Sequence, residues 1–317
     1  MKHFYLLVLG IMLFISSANS QQTYFSQFYT TSMYLNPSLT GINEESRLTM
    51  NFQNHWPQIE NSFITQNVSF ESNLSRFNNG LGVNVYRDQA GDGMLTVTSF
   101  SGAYAHELKL YNDLYLRLGV KAGFVQKNVA WDKLVFEDMI DSRDGVVYTT
   151  QQKFGEAITY ADLSSGIFIY NDTYYGGFSI NHLNQAQAGL INQNGKSRLE
   201  RSYTIHGGAK FIMNGNEDYS ISPNLILSKQ GTFKKLNAGG YVEANHLLFG
   251  LWYASTEEMI VMVGFQGNQF QIGYSYDMYP ENTIGSSLGS HELSYIQTFK
   301  KRNKKRRNYR TTPCPKF

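Results

Sequence analysis

Period-two alternation of apolar and polar residues constrains this chain more than any other feature. In LYLRLGVKAGFVQKN (114–128), Leu114, Leu116, Leu118, Val120, Ala122 and Phe124 hold the even positions, while Arg117 and Lys121 stand among the odd ones. Successive side chains of a strand point to opposite faces, so one face is apolar and the other carries full charges. A soluble sandwich supplies such a pair of environments, and so does a membrane barrel with lipid outside and a wet lumen inside.

The pattern recurs. Strand-like segments fall at 46–53, 63–74, 80–87, 94–106, 114–128, 160–170, 174–182, 202–213, 219–228, 233–244, 247–255, 259–266, 269–277 and 290–299. In QFQIGYSYD, Phe270, Ile272, Tyr274 and Tyr276 oppose Gln271, Gly273, Ser275 and Asp277. Connections after even-numbered segments are short. Those after odd ones include 54–62, 88–93, 129–159, 183–201 and 278–289, with 229–232 and 256–258 as short exceptions. Short turns at one end and long loops at the other are expected of an outer-membrane barrel; a Greek-key sandwich has no reason to sort them. An even strand count brings both chain ends to the short-turn end. The sequence therefore predicts an all-β fold: an antiparallel transmembrane β-barrel of about 14 strands, with short periplasmic turns and long extracellular loops.

Composition agrees. Of 317 residues 15 % are aromatic, with 22 Tyr and 21 Phe, only 16 % are charged, and Pro numbers 6. After the N-terminus no apolar run approaches the ~20 residues of a spanning helix. Tyr86, Tyr170, Tyr174, Tyr219, Tyr253 and Phe299 at strand ends suit an aromatic girdle. About eight strands would fill a barrel with side chains, whereas 16–18 leave a channel, so fourteen should leave room in the bore. Arg117 and Lys121 are then expected to face the lumen and pair with acids there.

The chain divides into four parts. Residues 1–20 read as a signal peptide: Lys2, an apolar stretch from Phe4 to Ile15, then Ala18-Asn19-Ser20 as a small-residue cleavage site. Residues 21–45 form a periplasmic N-terminal segment or a plug, 46–299 the barrel, and 300–317 a basic tail. That tail holds nine Lys/Arg, including Lys300, Lys301, Arg302, Lys304, Lys305, Arg306 and Arg307, and no acid, which leaves the body net acidic. In an exported chain it suits an acidic partner or anionic lipid rather than nucleic acid. Cys314 is the single cysteine, so no internal disulfide can form.

Sites for chemistry are scarce. The seven His are scattered without metal-ligand spacing, and neither a G-x-S-x-G elbow nor a phosphate-cradling Gly loop occurs. Glu137, Asp138, Asp141 and Asp144 miss the EF-hand spacing. His206 lies on the lumen side with no Ser obviously beside it. The expectation is no enzyme, no cofactor and no metal. The long loop 129–159 carries Trp131, Leu134, Phe136 and Met139 among acids, and loops beyond about 12–15 residues usually carry function or are disordered. Trp131 and Phe136, with Trp56 in the first long loop, are the candidate partner-binding residues, together with the tail cations.

YFSQFY (24–29), YLNPSLTG (34–41) and NHWPQI (54–59) resemble the N-terminal signature of the PorP/SprF family. GLGVNVYRDQAGDG (80–93), ISPNLILSKQGTFKKLNAGGY (221–241), IGYSYD (272–277), GSHELSY (289–295) and the terminal CPKF are similar to its pattern as well. Thr40-Gly41 departs from an expected Ala-Gly, and His55 stands where Gln is common. The resemblance implies a non-enzymatic, fourteen-stranded outer-membrane barrel of the type IX secretion and gliding system. It would support export or surface attachment of a large, adhesin-like client with a C-terminal sorting domain, beside other outer-membrane or periplasmic components of that machine. A diffusion channel for small solutes is the alternative.

Overall fold

The structure, a computed structural model, describes residues 25–59, 62–74, 78–111, 113–141, 145–146, 157–189, 198–213, 216–279 and 289–299. The segments 1–24 and 300–317, with Cys314 and the tail cations, lie outside the described residues. Apart from a two-residue pairing of Ile140–Asp141 with Gly145–Val146, fourteen strands of one sheet follow in order: β1 (Ser46–His55), β2 (Phe63–Leu74), β3 (Asn79–Ala90), β4 (Leu95–Tyr111), β5 (Leu114–Val129), β6 (Ile158–Tyr170) and β7 (Tyr174–Asn181). Then come β8 (Ser202–Ala209 and, past Lys210, Phe211–Met213), β9 (Asn216–Gln230), β10 (Phe233–Ala244), β11 (Leu247–Ala254), β12 (Met259–Gln266), β13 (Phe270–Met278) and β14 (Ser290–Phe299). Each pairs antiparallel with its neighbour in sequence.

The ring closes between first and last strands, from Ser46↔Phe299 to His55↔Ser290. Closure removes both sheet edges, which hydrocarbon demands because it offers no partner for a free N–H or C=O. No described helix is long and apolar enough to cross a membrane.

Alternation reads out as inside against outside. On β5, Val120 is 56 % and Phe124 64 % exposed on the outer wall, while Arg117 is 1 % exposed within. The outer face is aliphatic and aromatic; the inner face carries Thr49, Ser179, Ser220, Ser275 and Glu292, all buried. A soluble core would trap Val120 instead. Outward Tyr174, Tyr219, Tyr253 and Phe299 stand near strand ends, as expected of a girdle. Tyr86 and Tyr170 do not: their positions fall on the inward parity, where Tyr86 stacks on Tyr34 and the Tyr170 hydroxyl donates to Glu107.

The connections after even strands are shorter than expected, while one more of those after odd strands proves short. Those after even strands, such as 171–173 and 245–246, all run two to four residues. Those after odd strands include 56–62, 130–157, 182–201 and 279–289. The stretch 88–93, expected as a long loop, is a correction: β3 continues to Ala90 and β4 starts at Leu95. Met94 N–H donates to the Gly91 carbonyl to close that turn. β4 likewise continues to Tyr111, which shrinks the expected 107–113 connection to 112–113.

Candidate functional site in the barrel bore

Residues 25–42 lie inside the ring. Asn36-Pro37 sets their shape. The residue before a proline avoids the helical region, and Asn36 is extended at φ −157°, which stops the helical turn Ser32–Leu35. Its side chain then accepts from Ser38 N at 3.0 Å and starts a second turn, Pro37–Leu39. The Asn36 amide also donates to the Ile167 carbonyl at 3.1 Å, tying the bend to β6.

Three inward carboxylates and two arginines anchor this plug. Glu292 of β14 accepts from the backbone N–H of Ser26 (2.7 Å) and Gln27 (3.1 Å), and Asp277 of β13 accepts from the Ser26 hydroxyl. Glu71 of β2 accepts from Ser32 Oγ (2.7 Å) and Gly41 N (2.8 Å) and pairs with Arg47 at 2.9 Å. Arg117 of β5 donates to the carbonyls of Ser38 (2.9 Å) and Thr40 (2.6 Å) while pairing with Glu107 at 3.0 Å. Apolar contacts complete the fit. Phe28 packs 4.8 Å from Trp252, and Tyr29, Leu35 and Leu39 join a buried cluster with Phe168, Tyr175, Tyr241 and Ile260.

The plug has a direction. Its contacts along β1 pass from Gln53 (with Ser26) to Asn51 (with Thr30) to Arg47 (with Ser32). Since β1 starts at the short-turn end, Phe25 lies toward the long connections and the plug leaves the bore at the turn end, into Ser46.

Toward the long connections the described residues enclose a cavity beside the plug. Its volume is about 570 Å³, and it is lined by Tyr34 of the plug and by Tyr86, Lys121, Tyr160, Asp162 and Asn181 of the wall. Arg117 has the acid partner expected of it. Lys121 does not: among the described residues no carboxylate comes within ion-pair distance, and its Nζ sits 5.8 Å over the Tyr34 ring.

The candidate partner-binding residues lie on the rim of long connections. Trp56, at φ 54°, donates its N–H to Gly289 O (3.0 Å), and its ring packs 5.7 Å from Phe63 and 6.4 Å from Tyr279. Trp131 opens a short turn (Trp131–Lys133), and the Phe136 N–H donates to Met139 Sδ at 3.4 Å. Trp56 stands on the β1–β2 connection and the other two on the β5–β6 connection, so they occupy different stretches of rim. Sequence reasoning missed Glu71, Glu107, Asp277 and Glu292. A signal for the plug itself was present: LLFGLWYA of β11 is apolar on both faces, and an inward Leu248 and Trp252 require something dry in the bore.

A family model described as "Type IX secretion system membrane protein PorP/SprF" matches residues 17–296. No curated protein sequence matches the chain. Among solved structures, the deltaS2 mutant of the TodX monoaromatic hydrocarbon channel is similar at 10 % identity and TM-score 0.51, covering 85 % of this chain and 94 % of that one. Omp33, an outer membrane protein of Acinetobacter baumannii, gives 6 % identity and TM-score 0.47 over 82 % of this chain and all of its own. The KdgM porin in complex with disordered oligogalacturonate gives 6 % and 0.41, over 80 % and 99 %. At these identities the likeness concerns the fold alone.

Proposed function

Because this chain belongs to the PorP/SprF family of type IX secretion system membrane proteins, we propose that it is a non-enzymatic outer-membrane barrel that supports export or surface attachment of a large secreted client. The family match over residues 17–296 carries this reading. The closed ring with its apolar outer wall supports placement among lipids. The client is an adhesin-like protein with a C-terminal sorting domain, engaged at the long-loop rim by Trp56, Trp131 and Phe136. Large aromatics contribute contact area at low entropic cost. The tail cations Lys300, Lys301, Arg302, Lys304, Lys305, Arg306 and Arg307 suit an acidic component of the secretion machinery or anionic lipid.

The alternative, a diffusion channel for small solutes, has the barrel fold in its favour and the segment 25–42 seated in the bore against it. Deleting the gene and profiling surface proteins tests the main reading: loss of one or a few surface proteins is expected, and unchanged export and motility would overturn it. Planar-bilayer recordings separate the alternative, for which a large steady conductance of the intact protein is required.

A further inference from the structure

The outer wall carries one feature that contact with hydrocarbon does not explain. Lys229 of β9 and Lys234 of β10 are direct partners in the register of their hairpin. Both are exposed, and both share the outward parity of Leu227 and Leu236 in the row beneath. Like charges directly opposite each other on a sheet face, with Cβ atoms about 4.5–5.5 Å apart, destabilise the pairing. A single lysine on a rim is ordinary; two held face to face carry a cost. Neither forms an ion pair among the described residues, whereas their inward neighbour Lys235 holds Glu258 at 2.6 Å. A third cation stands with them. Tyr203 of β8 is the register partner of Lys229 on its other side, and Arg201, exposed just before β8, takes the diagonal position. Arg201 gives its Nε–H to the Leu183 carbonyl at 3.2 Å. Glu200 turns the other way: it lines the bore cavity, with its carboxylate against Gly231.

Height on the wall decides what these cations meet. Tyr219, outward at the short-turn end of β9, accepts a hydrogen bond from Asn245 of the adjoining turn at 2.9 Å and marks one edge of the apolar band. Lys229 stands ten residues further along the same strand. At about 3.3 Å per residue and a tilt of about 40°, the rise is about 25 Å, the full height of the apolar band of such a barrel. The outward positions between them, Ile221, Pro223, Leu225 and Leu227, are apolar throughout. The cations therefore stand on the long-connection side, where hydrocarbon ends and headgroups begin. The row directly beneath them is aliphatic: Ile205 faces Leu227, and Leu227 faces Leu236. Positive charge over an apolar row is complementary to an anionic headgroup over its acyl chains.

We propose that Arg201, Lys229 and Lys234 bind the phosphate of a membrane lipid in the outer leaflet, with its acyl chains against Ile205, Leu227 and Leu236. A phosphate offers several strong acceptor oxygens, enough to bridge two ammonium groups and a guanidinium. A bridging anion turns the repulsion across the β9–β10 pair into attraction on both sides. The apolar row selects a lipid over the free anion, because charge and chain together hold where either alone is weak. The site rests on the barrel's place in a membrane and not on its part in export: failure of the lipid assay leaves the export reading standing, and unchanged export leaves this site standing.

Native mass spectrometry of the full-length barrel in neutral detergent tests it, with three probes: dioleoyl phosphatidic acid, dioleoylglycerol, which has the same chains and no phosphate, and inorganic phosphate. The phosphatidic acid is expected to be retained and the dioleoylglycerol lost. Lys229→Ser or Lys234→Ser should each weaken retention about fivefold, and the two together about twentyfold or more. Lys234→Arg keeps the charge and should keep most of the affinity. Arg87, an outward cation of β3 between neutral Gln66 and Thr98, is the control, and Arg87→Ser should change nothing. Thermal unfolding gives an independent readout. Without lipid, Lys234→Ser relieves the repulsion and should raise the midpoint; with phosphatidic acid present, the parent should regain that difference. Equal retention by the parent and the double variant, equal retention of dioleoylglycerol, or an equal loss in Arg87→Ser would overturn the proposal. Displacement of the lipid by inorganic phosphate at matching concentration would overturn its assignment to a lipid.

Discussion

At the residue scale, a few inward side chains carry the seat of the plug. Arg117 is the clearest case. Its guanidinium fork satisfies two plug carbonyls and Glu107 at once, and it is 1 % exposed. Removing one member of a buried charge pair strands the other, at a cost of about 3–5 kcal/mol. Arg117→Met should therefore lower the unfolding midpoint of the detergent-folded barrel markedly, whereas Glu107→Gln, which keeps an acceptor oxygen, should lower it less. Gly119 and Gly166 matter for a different reason. A Cβ on Gly119 would strike the Pro37–Ser38 backbone, and one on Gly166 the Asn36 amide oxygen. Gly119→Val should unseat the 36–40 turn, at about 1–3 kcal/mol of overpacking, and make the N-terminal segment sensitive to protease. Outward Gly102 has nothing nearer than 3.9 Å to a new Cβ, so Gly102→Ala should leave both readouts unchanged.

Among the elements, the plug was only partly legible. YLNPSLTG shows its local shape, since Asn-Pro stops one turn and starts another. That it sits in the bore was written less plainly, in β11 and β12, which present Trp252, Ile260 and Met262 to the inside. Its direction, amino end toward the long connections, follows from which rows of β1 it meets. Deleting residues 25–42 should leave the wall's pairing intact, because no barrel strand draws its backbone partners from them. The emptied bore should then conduct in planar bilayers where the intact protein does not; an unchanged, closed trace would show that something else fills the bore.

For the whole molecule, closure and the inverted distribution of polarity are the governing facts. The outer wall meets hydrocarbon, so a charge at its middle should cost about 2–4 kcal/mol. Val120→Arg is expected to reduce folding into vesicles by that measure, and Val120→Leu to leave it unchanged; equal effects would mean that this wall does not face lipid.

Strand number, strand parity and the sorting of long from short connections were determined by the sequence alone, because side-chain direction alternates strictly with position and needs no knowledge of neighbours. The exceptions share a cause. Tyr86 and Tyr170 were assigned to the girdle by their place near a strand end, when parity sends them inward to Tyr34 and Glu107. The turn at 91–94 was read as longer because its polar flanks also suit a loop. What the tertiary structure alone decided is which inward residues meet. Glu292 and Ser26 are 266 positions apart, and Lys121 faces a cavity rather than an acid, because ring closure brings distant strands around one segment. No local pattern encodes such distances.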